Sequence, residues 1–197
     1  MNFLAHIYLS GDNPKIMVGN FIGDFVKGRN LIEQFEPEIA RGIELHRAID
    51  EFTDHHPVVL QSKIRLRPKY RHYAAVIVDV FYDHFLSRYW NDFHTQLLAD
   101  FSSQTYKTIT HHWETLPAAV KHMLPYMIRD NWLVNYGKLE GIEQALAGMS
   151  RRTRHNSKMN ESIADLRENY DAFKMEFEMF FPELIQHSQH FIMGTRE

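Results

Sequence analysis

Residues 72–92 read His-Tyr-Ala-Ala-Val-Ile-Val-Asp-Val-Phe-Tyr-Asp-His-Phe-Leu-Ser-Arg-Tyr-Trp-Asn-Asp, apolar around most of the circumference of a helix and free of Gly and Pro. Such a stretch predicts a helix buried at the centre of an all-α fold. Within it, Val76, Asp79, Val80, Asp83, Leu86 and Ser87 follow the i, i+3, i+4, i+7 rule, so two carboxylates share an apolar face. An unpaired buried carboxylate is costly, and the stripe therefore demands a cation. His72, Arg71 or Arg88 could supply it through a salt bridge; a metal ion could supply it as well.

The same anomaly recurs upstream. A helix predicted to start at Pro37 and to end before the Asp54-His55-His56-Pro57 turn carries Ile39, Ile43, His46 and Asp50 on one face. An earlier helix, from Pro14 to about Lys27-Gly28, places Asn20 and Asp24 four apart, and its Gly19 and Gly23 let another backbone approach closely. A short third helix follows Pro57. Residues 63–71, Lys-Ile-Arg-Leu-Arg-Pro-Lys-Tyr-Arg, put five cations around a helix-breaking proline and read as a loop or helix junction with a basic face. Further helices are predicted at 95–112, 117–136, 139–149, 160–180 and 182–192, with breaks at Leu116-Pro117, Gly137, Ser150–Ser157 and Phe181-Pro182. With no internal repeat and no long linker, residues 1–197 read as one domain, a helical bundle.

Composition narrows the chemistry. The 197 residues are 44% hydrophobic and 24% charged, which suits a globular chain and excludes disordered or collagen-like classes. The chain has no cysteine, which excludes disulfides, thiolate zinc, iron–sulfur clusters and cysteine nucleophiles. The start, Met1 to His6, carries no basic signal region, and no window approaches the ~18 apolar residues of a membrane span, so a cytoplasmic protein is expected. A net charge of −3 argues against nucleic acid as a partner, while 13 histidines offer ligands and bases.

Two His/carboxylate-bearing faces on different helices can converge on one point, which is how helical proteins build metal sites. With Asp24 and His6 added, the candidate set is His6, Asp24, His46, Asp50, Asp79 and Asp83. This set is rich in oxygen with some imidazole and no sulfur, and suits Mn²⁺, with Mg²⁺ or Fe²⁺ as alternatives. A buried salt-bridge network within a non-catalytic interaction module is the competing reading.

Several blocks stand in order along the chain: Asn2-Phe3-Leu4-Ala5-His6; Gly19-Asn20 with Asp24; Gly42, His46-Arg47 and Ile49-Asp50 with Thr53-Asp54; Asp79, Asp83-His84 and Leu86; and Trp132-Leu133 with Tyr136. Together they resemble the acyl carrier protein phosphodiesterase family. The resemblance implies hydrolytic removal of the 4′-phosphopantetheine arm from the serine of holo acyl carrier protein, with Mn²⁺ or a similar ion. It also implies a helical fold related to the HD-domain phosphohydrolases. The chain departs from the HD pattern, since it has only the reversed pairs Asp54-His55 and Asp83-His84. A phosphohydrolase of the same fold acting on a nucleotide or another small diester is the alternative.

Diester hydrolysis also needs a positive group for the phosphoryl oxygens and a proton for the leaving oxygen. Arg47 and His84 are the candidates, although Arg47 can equally pair with a carboxylate and His84 can point away. Asn2 and Asn20 either orient ligands or cap helices. Acyl carrier proteins are acidic, so the basic segments 63–71 and 151–158, the latter with Arg151, Arg152, Arg154 and Lys158, are expected to dock the carrier. Trp90, Trp113 and Trp132 are candidates to line a groove for the arm.

Overall fold

The central stretch forms the middle of an all-helical fold in the computed structural model, which describes residues 1–153 and 155–194. The α-helices are α1 (Phe3–Tyr8), α2 (Pro14–Ile22), α3 (Pro37–His55), α4 (Pro57–Tyr70), α5 (Ala74–Arg88), α6 (Leu98–His111), α7 (Ala118–Arg129), α8 (Trp132–Asn135), α9 (Leu139–Arg152), α10 (Ser162–Glu168) and α11 (Tyr170–Met193). No strand occurs among the described residues. No helix among them is long and apolar enough to cross a membrane.

From Ile77 to Ser87, every residue of α5 except Asp79 is buried. Its first turn departs from the predicted stripe, because Val76 is 39% exposed and faces the cavity described below. The aromatic side of α11, with Phe173, Phe177, Phe180 and Phe181, packs against α5, so that Phe85 and Tyr82 meet Phe177 and Phe81 meets Phe173. These contacts join one apolar cluster running from Met1 to Leu184.

Several boundaries differ from the expected ones, each for a physical reason. The basic segment is no loop: α4 continues through Pro68 to Tyr70. Pro68 lies in the last turn, where it removes a single helical hydrogen bond while Leu66 and Tyr70 stay buried. Likewise α11 runs through Pro182, held by Phe180, Phe181 and Leu184, all at 0% exposure, and the break falls instead at Asn169. The predicted 117–136 helix divides after Arg129, where Asn131 adopts a left-handed backbone (φ 41°) that Asn tolerates better than most residues. The helix from Pro14 ends at Ile22 and tightens into a 3₁₀ turn over Gly23–Phe25.

Two contacts position the elements that carry the candidate site. The first is backbone on backbone: a Cβ on Gly19 would sit 2.1 Å from the Ile39 carbonyl oxygen, and one on Gly42 would sit 2.2 Å from that of Ile16. Helices α2 and α3 therefore cross with no side chain between them. The predicted close approach at Gly19 is met by Gly42, whereas Gly23 makes room for a side chain, since its Cβ would lie 2.2 Å from Cγ of His46. The second contact is the Asp83 carboxylate, which accepts hydrogen bonds from the backbone N–H groups of Leu4 (2.7 Å) and Ala5 (3.1 Å). It takes the role that Asn2, with no side-chain capping bond, leaves open at the start of α1.

Gly19→Ala or Gly42→Ala forces the crossing apart and should each lower stability by roughly 1–3 kcal/mol, the usual scale of overpacking. Chemical denaturation followed by circular dichroism measures this; a wild-type midpoint in both variants would show that the crossing has slack.

Candidate functional site

His6 comes from α1, His46 and Asp50 from α3 one turn apart, Asp24 from the turn after α2, and Asp79 from α5. The rings of His6 and His46 stack with centroids 3.9 Å apart and planes 16° from parallel. The Asp50 carboxylate bridges them, with Oδ1 3.2 Å from His6 Nε2 and Oδ2 3.2 Å from His46 Nε2. Asp24 Oδ1 is also 3.2 Å from His46 Nε2. The α-ammonium of Met1 lies between Asp50 and Asp79, at 3.2 and 3.3 Å.

The tautomers follow from one residue. His46 Nδ1 lies 2.8 Å from the backbone oxygen of Asn20, an acceptor only, so this nitrogen must donate. His6 Nδ1 lies 2.8 Å from Oδ1 of the same Asn20, whose amide nitrogen is committed to the His6 carbonyl and the Ser10 hydroxyl. That nitrogen donates as well. Both Nε2 atoms are thereby directed at Asp50, in the arrangement by which outer oxygens fix metal-binding imidazoles.

Electrostatics shows why a cation suits the cluster. Burial, followed by the charge of His46, lowers the pKa of His6 to about 4, so its Nε2 carries a lone pair that faces Asp50 Oδ1 and, at 3.2 Å, the Met1 carbonyl. Acceptors facing acceptors repel unless positive charge lies between them. His46 responds the other way: burial lowers its pKa, but hydrogen bonds with Asp24 and Asp50 overcome this and raise it to about 9. Burial likewise pushes Asp50 up, while the Met1 ammonium and both imidazoles hold it well below the usual carboxylate range. Burial raises Asp79, and it raises Asp83 to about 7 against the two N–H bonds that Asp83 accepts.

The ligand atoms of His6, His46 and Asp50 lie within 4.8 Å of one another, so this trio could hold a metal ion. Asp24 reaches the same His46 nitrogen, and Asp79 lies across the Met1 ammonium from Asp50. Asp83 is fully buried and spends both oxygens on α1. Arg47 donates to the carbonyls of Gly28 (2.8 Å) and Val26 (3.4 Å). His84 points to the other side of α5, where Nδ1 donates to the Tyr136 carbonyl and Nε2 lies 2.9 Å from the Tyr170 hydroxyl.

Above the cluster opens a cavity of about 840 Å³, bounded by the start of the chain, α5, α7, α8 and α9, with Asp24, Asp50 and Asp79 in its wall. Trp132 lines it; Trp90 is buried against Phe101, and Trp113 lies near Lys121 on the surface. Arg151 and Arg152 line the cavity too. Arg154 lies outside the described residues. The other basic segment is largely neutralised: Lys63 is buried on Asp54 (2.6 Å), Arg65 holds Glu176 through two bonds (2.7 and 2.8 Å), and Lys69 meets Asp165 and Glu161. Sequence reasoning did not find the Met1 ammonium or the capping role of Asp83, because neither partner is local in sequence.

By fold and site this is an all-α protein with an imidazole–carboxylate cluster that could hold a metal ion, its carboxylates reaching the wall of an open cavity. The sequence comparisons then place it: the model of the acyl carrier protein phosphodiesterase family matches residues 1–184, and the chain belongs to that family. Relatives named acyl carrier protein phosphodiesterase include one from Serratia proteamaculans (strain 568), 32% identical over 96% of this chain and 98% of its own. Another, from Escherichia coli O139:H28 (strain E24377A / ETEC), is 34% identical over 96% of this chain and 98% of its own. No solved structure matches the chain.

Asn20→Ala removes the acceptor on His6 Nδ1 while leaving every candidate ligand in place, and should weaken Mn²⁺ binding by about 10–100-fold, the usual effect of losing such an outer partner. Titration calorimetry reads this directly, and wild-type affinity would mean that ring orientation does not matter to the ion.

Proposed function

We propose that this chain is a cytoplasmic, divalent-metal-dependent phosphodiesterase that removes 4′-phosphopantetheine from the serine of holo acyl carrier protein. The observation that carries the reading is the convergence of buried His6 and His46 on Asp50, which lines the cavity, with both imidazoles oriented by Asn20, in a chain of this family. His6, His46 and Asp50 would hold the ion, with Asp24 and Asp79 beside them as further oxygen donors. Mn²⁺ suits this mixed set, and Mg²⁺ or Fe²⁺ are alternatives. When bound, the ion supplies positive charge to the phosphoryl oxygens and acidifies a water.

The protein's own residues contribute position. Asn20 sets both tautomers, Asp83 pins the start of α1 and thereby aims His6, and Gly23 clears the space for the His46 ring. Arg47 and His84, held by carbonyls and by Tyr170, act in this reading on the framework. Attack of water on phosphorus breaks the bond to the seryl oxygen, which takes up a proton; the products are apo carrier protein and 4′-phosphopantetheine.

The test is incubation of Mn²⁺-loaded protein with holo carrier protein, with the loss of the arm read by intact mass. Chelation should abolish the loss and Mn²⁺ should restore it. An unchanged carrier mass with metal-loaded protein would remove the reading, and turnover of nucleotides or small diesters instead would favour a different substrate class. Two variants separate the roles of the carboxylates. Asp50→Ala should lose the ion, whereas Asp83→Ala should lose roughly 1–3 kcal/mol of stability through two unpaired N–H groups and still bind the ion below its melting point. Equal ion affinity in both would break the assignment.

A further inference from the structure

The cavity beside the cluster has one wall that packing does not explain. Along α9, Gly141, Gln144, Ala145, Gly148 and Met149 line it at helical spacing. Gly141 is required by its neighbours, because a Cβ there would lie 2.0 Å from the Asn135 carbonyl oxygen. Gly148 is not: a Cβ there would meet only the tip of Arg151, at 3.9 Å. Glycine inside a helix costs roughly 0.5–1 kcal/mol relative to alanine, so open space on this face is maintained against local preference. Opposite lie Val76 and Val80 of α5 and Met123 and Tyr126 of α7, an apolar wall.

The cavity wall carries both signs of charge. Asp24, Asp50 and Asp79 line it, and so do Arg151 and Arg152, from the last turn of α9, which have no carboxylate partner among the described residues. Arg152 stands close enough to the buried Tyr136 for its charge to oppose the upward push that burial and Asp83 give that phenol. Asn2 also lines the cavity, and its side-chain amide is buried against the same Tyr136 hydroxyl, whose charged form it favours. One donor, the Arg152 guanidinium, thus stands unpaired in the cavity wall near Tyr136. The volume, about 840 Å³, falls within the usual range for a small-molecule site.

We infer that this cavity seats the phosphopantetheine arm, with its phosphate against Arg152 and its pantetheine chain along α9 over Gly148. The inference rests on the proposed function and adds the residues that select an arm-bearing diester. An amphiphilic chain with one anionic end matches an apolar trough whose wall carries an unpaired guanidinium and, elsewhere, carboxylates of the candidate metal site. Gln144, exposed on the same face, is placed for the amides of the arm.

The experiment uses manganese-loaded protein and two probes, free 4′-phosphopantetheine and pantetheine without the phosphate, titrated by calorimetry. Gly148→Leu fills the trough and should weaken both probes about tenfold or more, raising KM for holo carrier protein with a smaller change in kcat, while Gly148→Ala stays close to wild type. Arg152→Ala should weaken 4′-phosphopantetheine about tenfold and leave pantetheine unchanged, with partial recovery in Arg152→Lys. If Gly148→Leu fails to fold, Ala145→Trp obstructs the same face one turn earlier. Wild-type binding in the obstructed variant overturns the inference. So does a wild-type protein that cleaves holo carrier but binds neither probe, which leaves the proposed activity standing. A wild-type protein that binds 4′-phosphopantetheine at least tenfold more tightly than Gly148→Leu does, yet never cleaves the carrier, supports the trough and removes the activity.

Discussion

Much of this structure depends on one carboxylate. Asp83, fully buried in α5, accepts from the N–H groups of Leu4 and Ala5, 79 and 78 residues away in sequence. A helix of six residues such as α1 has no independent stability, because nucleation costs more than so few hydrogen bonds return. Anchored by Asp83, α1 lies on α5 and α2 and delivers His6 to Asn20 and Asp50. Burial still dominates at Asp83, which accounts for its pKa near 7. The negative potential concentrated there and at Asp50 and Asp79 is met by the Met1 ammonium, whose pKa burial would lower and these carboxylates raise to about 11.

Around that anchor the candidate site is a balance of like charges and fixed dipoles. Three carboxylates and two imidazoles meet with few protons to share, and the arrangement holds because Asn20 removes the freedom of the imidazoles rather than supplying charge. Division of labour on the surface follows the same economy. Three cations of α4, Lys63, Arg65 and Lys69, are spent on Asp54, Glu176 and Asp165 to fasten α4 to its neighbours, whereas those at the end of α9 are left facing the cavity.

What could be read from the sequence was whatever a helix encodes locally. Residues 72–92 announced a buried helix by composition, and His46 with Asp50 declared a polar notch by being four apart on an apolar face. Helix ends at Pro68 and Pro182 could not be read so, because a proline breaks a helix only when nothing else holds it, and Tyr70, Phe180 and Phe181 supply that hold from distant packing. In the run of five cations, the ion pairs of Lys63, Arg65 and Lys69 could not be read for a related reason: their acidic partners sit on other helices. Asp83 appeared as one of a pair with Asp79 because spacing reports a shared face, and a shared face says nothing about which oxygens are already taken by backbone N–H groups.

The glycine crossing of α2 and α3 bears on motion as well as on shape. Where two backbones touch with no side chain between them, no rotamer can change to let one slide along the other. The pair therefore moves as one body, and Asn20 keeps its register with His46 unless the crossing itself opens. Solvent reaches Asp50 and Asp79 from the cavity side, where α7 and α9 form part of the wall, while the α2–α3 side belongs with the slowest-opening part of such a fold.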